Sequence, residues 1–354
     1  MIKLWFPERM NWIEYIVRDK VEIISDLEQI KIDTDPDSMS VVVDILQSNA
    51  SPSVEEIFEW TKIFDRIVLI NCETRSDIIE ILSIIDSQKI FFLTVGHMNY
   101  VPKHMTIVNI ETSFGEVRKL YHNTNYEALK DLDPLTAKDY YFDALLGLPK
   151  PHRDFVYKKI QDKYQDKIYT RYKIKQQTLE ESMADKNWDW PPGAVVTPRT
   201  DTQIWYSGNL VQFGDMMTSI SHIVPIDIYQ KTCYSIVAET YWNLDFVLLS
   251  EKTIKPLIAK RLFIVFGGIG YLAHLHRLGF QTFDSVIDES YDLEPDDITR
   301  WTRAFEQVEY LCNQPQEVIL QKIQPILEHN YNVLVGRDWN AEYEQAIVTA
   351  ATEF

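Results

Sequence analysis

FVLLSEKTIKPLIAKRLFIVFGGIGYLAHLHRLGFQTF, residues 246–283, decides the fold. Residues 246–249 are apolar and read as an extended run. Ser250 is suited to cap a helix whose first turn holds Glu251. Ile254, Leu257 and Ile258 recur at helical spacing, and Pro256 falls early enough for its missing donor to cost little. Residues 262–266 are uniformly apolar, as in a strand covered on both faces. Gly267, Gly268 and Gly270 follow, then a helix with Tyr271, Leu272 and Leu275. This is an α/β unit, and open α/β sheets bind ligands where strands end and helices begin.

The same alternation runs through residues 1–135, which read as a first α/β domain. Strands are expected at 2–6, 40–46, 66–71, 89–95 and 105–110. Helices are expected at 10–18, from Ser51 with Pro52 at the first position, and from Thr74 or Ser76. Residues 136–200 read as a connecting or inserted segment. It holds a helix at 137–146, the prolines of LPKPHRDF, a helix at 154–163 and the loop-like NWDWPPGAVVTPRT. A second α/β domain spans 201–330, with strands at 235–239 and 283–287. Helices follow from 295, and 331–354 reads as a helical tail packing back on the first domain. The expected fold is α/β: two Rossmann-like domains facing across a cleft, with C-terminal helices.

The chain has 354 residues, which suits two domains. Its formal net charge of -18 argues against passive coating of nucleic acid. It leaves room for one local positive cleft. A basic run at Lys158, Lys159, Lys163, Lys167, Arg171, Lys173 and Lys175 is the local exception. Three separated cysteines, Cys72, Cys233 and Cys312, form neither a disulfide framework nor a thiolate metal site, and they suit a reducing compartment. No apolar stretch reaches membrane-span length and no signal-like region opens the chain, so a cytoplasmic protein is expected.

Glu251 and Lys252 open a helix after an extended run. The carboxylate suits the hydroxyls of a ribose and the ammonium suits a diphosphate near free helix N–H groups. The plain alternative is a capped helix with a solvent-facing pair. Lys255 stands one turn further on. Arg153, beside His152 at a helix start, opposes the helix dipole, which an anion would relieve; an ordinary ion pair is the alternative. Glu239 ends a strand and could bind a sugar hydroxyl, orient Lys252, act as a base, or pair with a neighbouring cation. Gly267 and Gly268 permit close ligand approach or simply make a tight turn, and FGGIGYLA lacks the spacing of the dinucleotide fingerprint. Asp288, Glu289 and Asp292 suit a divalent metal or a solvated acidic loop. His97, in GHMNY, is a further candidate base.

SEKTIKPL resembles the donor-binding element of the α-1,3-fucosyltransferase-like group, enzymes built of two facing Rossmann-like domains (GT-B type). The longer stretch 250–283 with IDESYD, together with YFDALLGLPKPHRDF and YSIVAETYW, resembles glycosyltransferase-like proteins of tailed phages and marine bacteria. The likeness covers roughly 140–310. It implies a ribose role for Glu251, diphosphate contacts for Lys252 and Arg153, and a place near the donor sugar for Glu239. It also implies a UDP- or GDP-sugar donor and no metal required for chemistry. The chain has no acceptor motif matching true fucosyltransferases and lacks their membrane anchor.

The expected activity is transfer of a glycosyl group from a nucleoside diphosphate sugar to an acceptor hydroxyl, with His97 or Glu239 taking the proton. The acceptor would be a glycan. One alternative is a DNA-modifying glycosyltransferase acting on hydroxymethylated phage bases, which requires the basic run 158–175 to line the cleft. Another is a non-catalytic two-domain binding protein, for which Arg153, Glu251 and Lys252 would not converge.

Overall fold

The computed structural model describes residues 2–6, 16–17, 21–24, 26–28, 39–46, 52–71, 84–85, 87–98, 103–110, 129–147, 149–172, 195–197, 210–213, 216–219, 224–242 and 246–352. The expected helices at 10–18 and from Thr74 or Ser76, Cys72, and the NWDWPPG loop lie largely or wholly outside them. The chain divides into two compact units: Met1–Thr112 with Asp338–Phe354, and Ser113–Arg337.

The first unit holds a wholly parallel sheet. Its strands are β1 (Ile2–Trp5), β2 (Glu22–Ile24), β3 (Met39–Leu46), β4 (Arg66–Asn71), β5 (Ile90–Val95) and, after the short β6 (His97–Met98), β7 (Thr106–Ile110). They lie in the order β2-β1-β3-β4-β5-β7. Val43 registers with Val68, Val68 with Phe91, and Phe91 with Thr106. Every residue of β4 is buried, as expected of a strand with both faces covered.

Helix α1 (Val54–Ile63) crosses from β3 to β4. It starts under Ser53 rather than Ser51, because Glu56 completes a reciprocal capping box. Ser53 Oγ accepts from Glu56 N (3.1 Å), and Glu56 Oε2 accepts from Ser53 N (2.8 Å).

The second unit is also organised on a parallel sheet. Its strands are β8 (Tyr140–Gly147), β9 (Ile168–Tyr172), then β10 (Val195–Thr197), β11 (Leu210–Phe213) and β12 (Met216–Ser219) in a separate antiparallel sheet, then β13 (Thr232–Ala238), the short β14 (Phe246–Val247) and β15 (Phe263–Phe266). The parallel sheet has the order β15-β13-β8-β9. In chain order this is 4-3-1-2, the reversal seen in doubly wound sheets of the 2-1-3-4 kind.

Its helices are α2 (Pro151–Lys163), α3 (Ile226–Tyr229), α4 (Glu251–Ile258), α5 (Tyr271–Arg277), α6 (Asp297–Leu311) and α7 (Gln316–Gly336). Helix α2 packs on β9 and α6, while α4 packs on β13 and α7. Two right-handed crossovers leading in opposite directions from the sheet centre must lie on opposite faces, so the sheet is covered on both sides. The last helix, α8 (Trp339–Thr352), packs on β4, β5 and β7 of the first unit. Both units are Rossmann-like α/β domains, and no described helix is long and apolar enough to cross a membrane.

Three expectations need correction. Residues 140–147 form a central strand, not a helix, because β13 and β9 pair with them on both sides. Residues 140–172, expected to connect two domains, therefore supply two strands and a helix of the second sheet, which begins well before residue 201. Residues 283–287 form turns rather than a strand: Val286 N and Ile287 N both donate to Phe283 O.

Candidate functional site

Strands β8 and β13 are neighbours at the centre of the second sheet, and the chain leaves their C-terminal ends in opposite directions. Such a reversal opens a crevice between two loops. One loop follows β8. Gly147 turns it with φ 64°, a conformation that favours glycine. A Cβ there would lie 3.5 Å from Arg153 Nη1. Lys150 then stands between Pro149 and Pro151, extended at φ -154° and ψ 151°, as the N-cap of α2. It offers that helix no side-chain cap. The other loop follows β13 and carries Glu239, Thr240, Tyr241 and Trp242, and α4 begins beyond it at Ser250.

Glu239 is fully buried and ties this edge together. Its Oε1 accepts from Ser250 N (3.2 Å), Thr253 Oγ1 (2.8 Å) and Tyr271 OH (2.7 Å). Its Oε2 accepts from Ser250 Oγ (2.5 Å) and Thr240 N (3.2 Å). Both oxygens of the carboxylate are thus engaged by groups of the chain itself. Ser250 Oγ in turn accepts from Lys252 N at 3.2 Å, the N-cap bond of α4.

The carbonyl of Glu239 is held as well. His152 Nε2 lies 2.8 Å from it, and Arg153 Nη2 donates to it and to Ala238 O, each at 3.2 Å. His152 is fully buried and stacks on Trp242, with ring centroids 4.9 Å apart. Burial, then the neighbouring Arg153, pulls its imidazole down to about 3, so the ring is neutral. With Nε2 donating, Nδ1 is an acceptor, and it has no hydrogen-bond partner among the described residues.

Four cations and two carboxylates meet here. Lys252 Nζ bonds Glu251 Oε1 at 2.8 Å and reaches Thr240 Oγ1 at 3.3 Å. Burial pushes Glu251 up, but Lys252 and Lys255 together outweigh it and hold the carboxyl at about 2. Burial lowers Lys255 to about 8 against the pull of Glu251. Burial also lowers Arg153, while Glu239 and Glu251 raise it. Lys150 Nζ donates to Thr240 O at 2.6 Å and sits 5.5 Å and 5.6 Å from the ring centroids of Tyr241 and Trp242. Burial, then Arg153 and Lys252, pull it down to about 8. Asp154, in the same first turn, is exposed and takes the Tyr172 hydroxyl instead.

Arg153, Glu251 and Lys252 thus converge on one sheet edge, with Lys255 beside them. Lys150 escaped the sequence reading; its signal was the Pro-Lys-Pro triplet ahead of the helix. Gly267 packs closely against its own chain. A Cβ on Gly267 would meet the Tyr271 ring at 3.0 Å, and its carbonyl accepts from Arg300 Nε at 3.3 Å. The N-terminus of α5 is already capped by Asp292, which accepts from Leu272 N (2.9 Å) and Ala273 N (3.2 Å). Glu289 accepts from Phe283 N (2.6 Å) and Thr282 Oγ1 (2.5 Å), and Asp288 from Ser290 N (2.9 Å). The acidic cluster is therefore built into turns. Among the described residues no group of histidine, cysteine or carboxylate side chains is arranged to hold a metal ion.

His97 belongs to the first unit. Asn109 Nδ2 lies 3.0 Å from its Nδ1, and Met98 N donates to Asn109 Oδ1 at 3.4 Å, which orients the amide. The amide nitrogen can only donate, so Nδ1 is the accepting nitrogen of His97 in this contact. Of the basic run, Lys158, Lys159 and Lys163 are exposed along α2 beyond its N-terminal turn, and Lys167 Nζ donates to Cys312 O at 2.7 Å. Lys173 and Lys175 lie outside the described residues. No protein-family model matches the chain, and no curated protein matches it.

Proposed function

We propose that the protein is a glycosyltransferase that takes its sugar from a nucleoside diphosphate donor, UDP- or GDP-linked, and that the crevice after β8 and β13 binds the diphosphate. One observation carries this reading. In a chain of net charge -18, Lys150, Arg153, Lys252 and Lys255 gather against two carboxylates at the switch point of a doubly wound sheet. Lys150 and Arg153 also stand at the N-terminus of α2, where a helix disfavours cations and favours anions. An ionised Glu251 at the start of α4 suits the hydroxyls of a ribose.

In this reading the cations act on the leaving group. As the bond between the anomeric carbon and the diphosphate oxygen breaks, negative charge builds on the diphosphate. Lys252, Arg153 and the N-terminus of α2 stabilise that charge more in the transition state than in the ground state. Glu239 keeps Ser250, and through it the start of α4, in register. The sugar passes to an acceptor hydroxyl, for which a glycan is the simplest class.

Calorimetric titration with UDP, GDP, ADP, CMP and their sugars, on wild type and Lys252→Ala, tests the donor half. Selective binding of one nucleoside diphosphate, weakened in the variant, supports the reading. Folded protein that binds none of them overturns it. Release of that diphosphate from its sugar conjugate on adding acceptor hydroxyls then separates a transferase from a binding protein.

A further inference from the structure

We infer that Lys150 is a direct ligand of the phosphoryl oxygens and the cation whose charge the bound anion completes. This rests on the reading of the crevice as a diphosphate site and assigns the contact to a residue that neither spacing nor resemblance had singled out.

The cations of the cluster differ in how their charge is met. Lys252 has Glu251 at 2.8 Å. Arg153 bonds two backbone carbonyls and feels both Glu239 and Glu251. Lys255 lies beside Glu251. Lys150 has the carbonyl of Thr240 and the faces of Tyr241 and Trp242, and no carboxylate among the described residues lies within ion-pair distance of its Nζ. An ammonium has three donors, and one is engaged by Thr240. The charged groups acting on it are Arg153 from its own helix, Lys252 from the first turn of α4, and Glu239 at the end of β13. Two of these three repel it.

A half-buried ammonium in that setting is destabilised by burial, by its neighbours and by the dipole of α2. The two aromatic faces offset only part of this. They also fix the side chain, so its remaining donors are held in place rather than waving in solvent. An anion at the start of α2 would meet Lys150, Arg153 and the helix N-terminus together. Binding should therefore restore the proton that Lys150 has begun to lose near pH 8.

The test is calorimetry on the full chain with UDP and GDP, and with UMP and GMP, at pH 7 and pH 8, in two buffers of different ionisation heat. Wild type, Lys150→Met, Lys150→Arg and Lys252→Ala are compared, with circular dichroism to confirm folding. The expected result is a loss of about tenfold or more in diphosphate affinity for Lys150→Met, with affinity largely kept in Lys150→Arg. Wild type should take up about half a proton on binding at pH 8, and Lys150→Arg should take up none. Diphosphate binding unchanged in Lys150→Met overturns the inference, as does uptake that persists in Lys150→Arg, which would assign it to Lys255. If Lys252→Ala weakens binding while Lys150→Met does not, the inference fails and the diphosphate reading stands. If wild type binds no nucleotide, both fail together.

Discussion

His152 Nε2 lies 2.8 Å from the carbonyl oxygen of Glu239, joining the first turn of α2 to the end of β13 across the centre of the second sheet. The bond fixes two things at once. It places the loop after β8 against the loop after β13, and it sets the tautomer that leaves Nδ1 as an acceptor. A neutral, buried imidazole is the condition for both.

That condition makes the fold acid-sensitive. Burial and Arg153 bring His152 to about 3, and burial and Arg277 bring His274 to about 4. In the unfolded chain both would titrate near 6.5, roughly the free-histidine value. A depressed folded value means that stability is fully present above pH 6.5 and is lost as pH falls toward 3. The slope approaches about 1.4 kcal/mol per pH unit for each histidine. His152→Gln keeps a donor to the Glu239 carbonyl and loses the stack on Trp242, so it should be less stable at pH 7 by about 1 kcal/mol. Urea unfolding of both proteins from pH 7 to pH 4 should show the gap closing as pH falls. A gap that stays constant would mean that His152 is not the titrating group.

Glu239→Gln separates positioning from proton transfer. The carboxylate accepts from five donors on both oxygens. An amide has one acceptor oxygen and puts an NH2 against donors wherever the other end points. Stability should fall by about 2–4 kcal/mol, and nucleotide affinity should fall with it as the Ser250 cap loosens. Thermal unfolding and calorimetry would read the two losses together. Wild-type stability with turnover alone abolished would point to Glu239 as a base.

The stretch around Ser250 was legible because its signals are local: a capping serine, an apolar strand and glycines at the turn. The same holds for β3, β4 and β5, whose runs of valine, isoleucine and phenylalanine mark buried strands. Residues 137–146 read as a helix because AKDYYFDALL carries no short-range contradiction of one. Their state is set by β9 and β13, which are distant in sequence. Residues 283–287 show the reverse, a strand-like run with no partner strand among the described residues. At the site, Arg153, Glu251 and Lys252 could be picked from their places at helix starts. The five donors around Glu239 and the Asp292 cap on α5 come from separate elements, so only the folded chain reveals these contacts.

Gly267→Ala tests the glycine turn. The added methyl would sit 3.0 Å from the Tyr271 ring and 3.2 Å from Val265 Cγ1, and Tyr271 is fully buried with its hydroxyl on Glu239. The ring must shift, at about 1–3 kcal/mol. Denaturant unfolding should report that loss. Nucleotide affinity should weaken only as far as the Glu239 network moves. Full stability with affinity abolished would instead indicate that ligand approaches Gly267 directly.

Asp143 and Arg261 form the polar centre of the second sheet, joined at 2.8 Å with both side chains almost wholly buried. Arg261 also donates to the carbonyls of Tyr229, Thr232 and Tyr234 and lies 4.0 Å over the Tyr229 ring. Asp143 Oδ2 further accepts from Ser235 Oγ at 2.9 Å. The pair therefore links β8, β13 and the start of β15. Removing one partner strands the other charge in the core, so Asp143→Leu and Arg261→Met should each cost about 3–5 kcal/mol. The double variant Asp143→Leu with Arg261→Met leaves no buried charge, so it should lose less than the sum of the two. It will not return fully to wild type, because three carbonyls lose a donor. A double-mutant cycle in urea measures the coupling. Strictly additive losses would mean that the ion pair contributes nothing beyond the separate hydrogen bonds of its members.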